Sequence, residues 1–120
     1  MARAARYIVI DDQNIEVNSP AFALDFQVPF NCYRNVRSIL TWMVRIWAND
    51  GTTSIAISIN SIPCYFGQFA VNVYQPMQEV IDPNVLLWGK NTITFETNST
   101  ASSFVTTTYS DIVLLIEVDI

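Results

Sequence analysis

Val85-Leu86-Leu87-Trp88-Gly89-Lys90-Asn91-Thr92-Ile93-Thr94-Phe95-Glu96 decides how the chain folds. An apolar ramp runs into Gly-Lys-Asn, and a strictly alternating segment leaves it. Gly89 suits the positive φ that a tight reversal demands, and the short Asn91 side chain can hydrogen-bond its own backbone there. Beyond it Thr92, Thr94 and Glu96 face one way, and Ile93 and Phe95 the other. That period of two marks a strand with one buried face.

The alternation recurs outward from this stretch. Residues 21–28 place Phe22, Leu24, Phe26 and Val28 inward and Asp25 and Gln27 outward, and Pro29 stops them. Residues 6–10 and 14–17 read as short strands flanking an Asp11-Asp12-Gln13 turn. Residues 36–48 fit two periods. Ile39, Leu40, Met43, Val44 and Trp47 would line a helix; Val36, Leu40, Trp42, Val44 and Ile46 would line a strand, with Arg37, Thr41 and Arg45 opposite. Asn49-Asp50-Gly51 favours the strand, because Asp-Gly between alternating segments is a hairpin signal. Ile55, Ile57 and Ile59 alternate with Ser54, Ala56 and Ser58 on its far side, so a hairpin is expected.

Residues 61–67, with Pro63 and Cys64, read as a loop, and Phe69, Val71 and Val73 as the next strand. Pro76 and Pro83 bracket a connection with room for one helical turn. Residues 98–103 read as a polar loop and 104–109 as a short strand. Residues 111–120 close the chain, with Ile112, Leu114, Ile116, Val118 and Ile120 on one face. About eight strands with closely spaced turn signals predict an all-β protein, an antiparallel two-sheet β-sandwich of jelly-roll type. Residues 1–120 are read as a single domain carrying a short basic N-terminal arm, residues 1–6.

Composition narrows the function classes. A chain of 120 residues buries about two-thirds of its unfolded surface. It is 51% hydrophobic and only 14% charged, so it has two packed faces or hides surface against neighbours. Five of the six basic residues (Arg3, Arg6, Arg34, Arg37, Arg45) fall in the first 45 positions, and Lys90 alone faces seven carboxylates thereafter. A net charge of −5 without clustered cations argues against nucleic acid. No apolar run approaches the ~18–20 residues of a membrane helix. Asp11 and Asp12 interrupt any secretory signal region, so the chain is expected in the cytoplasm or in a particle assembled there.

Three segments together resemble the galactose-binding-like jelly roll of many carbohydrate-binding modules and accessory enzyme domains. They are Ile55-Ala56-Ile57-Ser58-Ile59-Asn60-Ser61, Leu87-Trp88-Gly89-Lys90-Asn91-Thr92-Ile93-Thr94-Phe95 and Tyr109-Ser110-Asp111-Ile112-Val113-Leu114. The resemblance implies the sandwich. Proteins of that fold bind sugars, peptides, lipids or nothing, so fold leaves function open.

Catalytic candidates are few. The chain has no histidine, which removes the commonest general base, nucleophile activator and zinc ligand. Two cysteines are too few for a structural zinc site, and Gly51, Gly67 and Gly89 are scattered rather than gathered into a phosphate loop. Glu79 and Asp82 form a close carboxyl pair that reads as a solvated loop edge. No enzyme activity, cofactor or metal is expected. Cys32 and Cys64 read as reduced, mostly buried thiols, since a bridge suits a secreted chain. Asn98-Ser99-Thr100 has the form of a glycosylation acceptor and reads as an ordinary loop. Asp11, Asp12 and Asp111 could offer oxygens to calcium at one end of a sandwich, but turn caps are the plainer reading.

Aromatics near loops are Trp47, Trp88, Tyr65, Phe66, Tyr74 and Tyr109. Trp42 and Trp47 are assigned to the core, while Trp88, Tyr65 and Phe66 are expected at the surface. Together with Arg3 and Arg6 of the arm they are the candidate partner contacts. The expected function is a non-enzymatic structural subunit of a phage or virus particle (capsid decoration, tail or fibre). It would contact protein subunits of the same assembly, as a homo-oligomer. The alternative is a carbohydrate-binding module stacking a glycan on Trp88, Tyr65 and Phe66.

Overall fold

A computed structural model describes residues 2–17, 21–70, 72–101 and 106–120. Met1 of the expected arm, Val71 of the expected strand and residues 102–105 lie outside the described residues. The strands are β1 (Arg3–Asp11), β2 (Ile15–Val17), β3 (Ala21–Val28), β4 (Ser38–Trp47), β5 (Thr53–Ile59), β6 (Ile62–Phe69), β7 (Val73–Ile81), β8 (Gly89–Ser99) and β9 (Thr106–Asp119). They form two antiparallel sheets. One has the order β1-β9-β4-β7, with β2 pairing β9 beyond β1; the other has the order β3-β8-β5-β6. This interleaving is the jelly roll.

The inner faces are the ones the alternation predicts. Leu40, Trp42, Val44 and Ile46 of β4 meet Ile55, Ile57 and Ile59 of β5, Ile93 and Phe95 of β8, and Ile112, Leu114 and Ile116 of β9 in one buried cluster. Phe22 stacks on Phe95 with ring centroids 4.9 Å apart, and Tyr109 leans against both.

Local signals misplaced several connections. Asp50-Gly51 joins β4 to β5, yet those strands lie in different sheets, so no hairpin forms there. β4 pairs β7 and β9, and β5 pairs β6 and β8; these long-range ladders leave neither strand an edge for the other. Gly51 is nonetheless needed. Its φ is +76°, and a Cβ there would stand 2.7 Å from the Ala101 amide nitrogen. The hairpin lies one strand later, over Asn60-Ser61. Ile59 pairs with Ile62, and both turn residues take positive φ, 52° and 66°. That is the primed turn that matches strand twist.

Residues 61–67 are therefore largely strand β6 rather than a loop. The expected strand through Phe69 and Val73 is broken, with β6 ending at Phe69 and β7 beginning at Val73 in the other sheet. Pro76 lies inside β7 rather than in a helical connection, and Glu79 is in that strand too. β7 is an edge strand, where a missing N–H disrupts no inner ladder. The last two expected strands are one, β9, and Ile120 beyond it is exposed.

Residues 3–6 of the expected arm are the start of strand β1. The open side of β9 pairs them as Arg3 with Asp119, Ala4 with Val118, Ala5 with Glu117 and Arg6 with Ile116. Arg3 Nη1 is 3.3 Å from Glu117 Oε2, and its guanidinium lies 4.3 Å from the Tyr33 ring centroid.

The opening stretch holds the end of the sandwich. Gly89 has φ +84° and starts β8. Buried Asn91 accepts from Asn60 Nδ2 and the Leu87 N–H through Oδ1, both at 2.8 Å, and donates to the Leu87 and Gly89 carbonyls. Asn60 in turn donates to the Val85 carbonyl and accepts from the Thr92 N–H. Two asparagines thus tie the β5–β6 hairpin to the β7–β8 connection.

Candidate functional site

The outer face of the five-stranded sheet carries the most distinctive surface. β9 runs through it, and its run Ile112-Val113-Leu114-Leu115-Ile116 is apolar on both faces. Ile112, Leu114 and Ile116 are buried inward, so Val113 and Leu115 face away from the core. Register extends that outward row across the sheet: Tyr7 pairs with Leu115, Leu115 with Ile39, and Ile39 with Val80. The adjacent row begins Val9, Val113, Thr41. Tyr7 is 70% exposed, and Val9 and Val80 are exposed as well. The result is an apolar plateau spanning four strands, of the kind that marks an interaction surface.

The plateau ends at a bulge. Thr107 and Tyr109 point inward before it and Ile112 after it, because Asp111, with φ 51°, inserts one residue. Beyond the bulge the outward positions of β9 are hydroxyls, Thr106, Thr108 and Ser110. There Glu16 pairs with Thr108, Thr108 with Arg45, and Arg45 with Tyr74. The face becomes a cleft of about 270 Å³ with Asn14 and Glu16 on one side and Arg45 and Tyr74 on the other. A second hollow of about 150 Å³ adjoins it between Tyr74 and Trp47. The Arg45 guanidinium lies 5.1 Å from the Trp47 ring centroid and 5.6 Å from that of Tyr74.

The expected contact residues do not come together. Arg3 and Arg6 are on β1, at one edge of the sandwich. Tyr65 and Phe66 are on β6, which packs beside β7 at the opposite edge. Trp88 sits before β8, where its Nε1 donates to the Cys32 carbonyl at 2.9 Å and Arg34 covers the ring at 5.0 Å. Trp88 and Phe66 are exposed as expected. Tyr65 is not a surface platform. Cys64 forms a bulge that turns the Tyr65 ring inward, edge-on to Trp42 at 5.1 Å, and burial pushes its hydroxyl pKa up. Phe66 stands over a shallow trough of about 500 Å³ floored by Ala56, Ser58 and Thr94, with no second exposed ring lining it.

Trp47 reverses its assignment. It is 54% exposed, and Tyr74 is 67% exposed, whereas Tyr109 is fully buried. The alternation that sends Arg45 outward also sends Trp47 outward, two residues on, so the signal was present in the sequence.

Asp11 is a turn cap, its Oδ1 accepting the Gln13 N–H at 2.7 Å. Among the described residues no three His, Cys, Asp or Glu side chains gather closely enough to hold a metal ion. Cys32 and Cys64 are free thiols, and burial raises both pKa values, which leaves little reactive thiolate at neutral pH. Asp25 is held below the usual carboxylate range by the Thr92 hydroxyl at 2.7 Å and by Lys90 at 3.4 Å, an exposed structural pair.

No family model matches the sequence, and no curated relative does. Solved structures are similar in fold. Dimeric latent PorU from Porphyromonas gingivalis matches 99% of this chain with TM-score 0.74 and 9% identity, and this chain spans 13% of that one. A chain of infectious bursal disease virus, Gx strain, matches 98% with TM-score 0.52 and 8% identity, over 32% of its own length. A family 4 carbohydrate-binding module matches 93% with TM-score 0.50 and 13% identity, over 70% of its own length. At such identities the likeness is one of fold, a jelly-roll β-sandwich consistent with the galactose-binding-like resemblance.

Proposed function

We propose that this chain is a non-enzymatic subunit that works by protein–protein contact through the outer face of its five-stranded sheet, within a larger assembly. The setting we favour is a phage or virus particle, as a decoration, tail or fibre component meeting other copies of itself. The observation that carries this reading is the row Tyr7, Leu115, Ile39, Val80. In an antiparallel sheet the solvent face is usually polar, so a strand apolar on both faces supports a second cover, which we read as a neighbouring subunit. The low charge of the chain supports the same reading, as does its likeness in fold to the viral chain.

The test is sedimentation velocity on the whole chain and on a Tyr7→Lys, Val80→Lys variant. Both residues are exposed on edge strands, so the variant should keep its melting temperature. The native chain should self-associate at micromolar concentration and the variant should not. A native chain that stays monomeric at every concentration, like the variant, would remove the reading.

A second reading, carbohydrate binding, is favoured by one specific observation. The cleft beyond the bulge and the hollow adjoining it set two exposed rings, Tyr74 and Trp47, beside a guanidinium, a carboxylate and a row of hydroxyls.

A further inference from the structure

Resting on the carbohydrate reading, we propose that the cleft between β2 and β7, together with the hollow that adjoins it, binds a neutral pyranose glycan, with Tyr74 between the two and Trp47 in the hollow as stacking platforms. Both rings are exposed, and they lie beside one guanidinium rather than in the core. Planar rings at a surface cost solvation unless something covers them, and the flat apolar face of a pyranose is a good fit.

The polar groups narrow the ligand further. Across the cleft stand Glu16, an acceptor, and Arg45, a donor, with Thr108 between them in register. Neither charge has an ion-pair partner among the described residues. An anion drawn to Arg45 meets Glu16, and a cation drawn to Glu16 meets Arg45, so a simple ion is poorly served. A neutral polyol is served well, because each sugar hydroxyl both donates and accepts. Thr106, Thr108 and Ser110 extend that chemistry along the floor at a spacing of about 7 Å, and β2 to β7 spans about 14 Å, room for a short oligosaccharide. Contact with the two rings also holds Arg45 in place before any ligand arrives, which lowers the ordering cost of binding.

The site differs from the one expected around Trp88, Tyr65 and Phe66. The Trp88 indole N–H is already committed to the Cys32 carbonyl, Tyr65 is turned inward, and Phe66 is alone. The bulge at Asp111 is what separates this polar cleft from the apolar plateau on the same sheet, so one face can hold a protein and a glycan side by side.

Titration calorimetry and tryptophan fluorescence on the whole chain test the proposal, with cellohexaose, xylohexaose, mannohexaose and laminarihexaose as neutral probes and oligogalacturonate as an acidic one. At least one neutral hexaose should bind and shift the emission. Trp47→Ala and Tyr74→Ala should each weaken it by roughly tenfold or more. The melting temperature should stay unchanged in both, since each ring is exposed, and Phe66→Ala and Trp88→Ala should leave binding intact. Binding that survives Trp47→Ala and Tyr74→Ala but falls in Phe66→Ala or Trp88→Ala would overturn the cleft and leave the carbohydrate reading standing. Binding of oligogalacturonate alone would overturn the neutral ligand. If no probe binds at about 10 mM, a level that would detect even millimolar affinity, both fall together.

Discussion

Asn91 is polar, fully buried and satisfied at both ends of its amide. Its side chain makes four hydrogen bonds, two accepted and two donated, and three of them tie down the turn that precedes β8. Asn91→Ala takes away the part-buried partner of the Leu87 N–H and C=O and of one donor bond of the Asn60 amide, and leaves a gap where Asn91 was buried. We expect a loss of about 2–4 kcal/mol, read from the urea midpoint at unchanged m-value. A loss below about 0.5 kcal/mol would mean that water replaces the amide without strain. Tyr109 makes the opposite demand. Burial pushes its phenol up to about 12, with the Thr97 hydroxyl 2.8 Å away partly offsetting that shift. Because the folded value is raised above the ordinary 10, this contribution is whole below pH 10 and is lost as pH climbs from 10 towards 12. It amounts to about 2–3 kcal/mol. Tyr109→Phe should remove a large part of that alkaline decline, leaving a remainder from Tyr65, Cys32 and Cys64, whose pKa values burial also raises. An undiminished decline in the variant would show that Tyr109 is not its source.

β9 is the element on which the molecule turns. It pairs β1, β2 and β4, lies in the middle of its sheet, and changes character at a single inserted residue. Asp111 occupies the left-handed region, which a β-branched side chain resists. Asp111→Val is expected to cost about 1–2 kcal/mol in thermal unfolding, while Asp111→Gly is tolerated. Equal melting temperatures for the two would mean that the bulge is not held by backbone conformation. Turns teach a similar lesson about elements. Asp50-Gly51 and Asn60-Ser61 both reverse the chain, but only the second closes a hairpin, because only β5 and β6 are neighbours in a sheet.

At the scale of the whole molecule, partners are far apart along the chain. Arg3 pairs with Asp119, Ile15 with Tyr109 and Ala21 with Glu96, so most ladders close large loops before they stabilise anything. Refolding from urea is accordingly expected on the millisecond-to-second scale, slower than for helical chains of this size. A microsecond phase carrying the full amplitude in stopped-flow or temperature-jump fluorescence would contradict this pairing order.

Much of this architecture was legible in advance. The alternation of residues 21–28, 55–59 and 92–96 named the buried side chains of β3, β5 and β8, because side-chain direction in a strand is a local property with period two. The outward course of Trp47 and the two-faced apolar run of β9 were also written there, though their meaning depended on what covers each face. Pairing was not local. Whether Asp50-Gly51 folds β5 back on β4 or throws it across to the other sheet depends on β7, β8 and β9, which arrive later in the chain. The cleft belongs to the same class of fact. Glu16, Arg45, Tyr74 and Thr108 lie on four strands, and only register sets them in one row. Sequence alone could say which way each side chain points; the tertiary structure chose its neighbours, since strand pairing is decided by the competition of every edge in the chain rather than by the residues on either side.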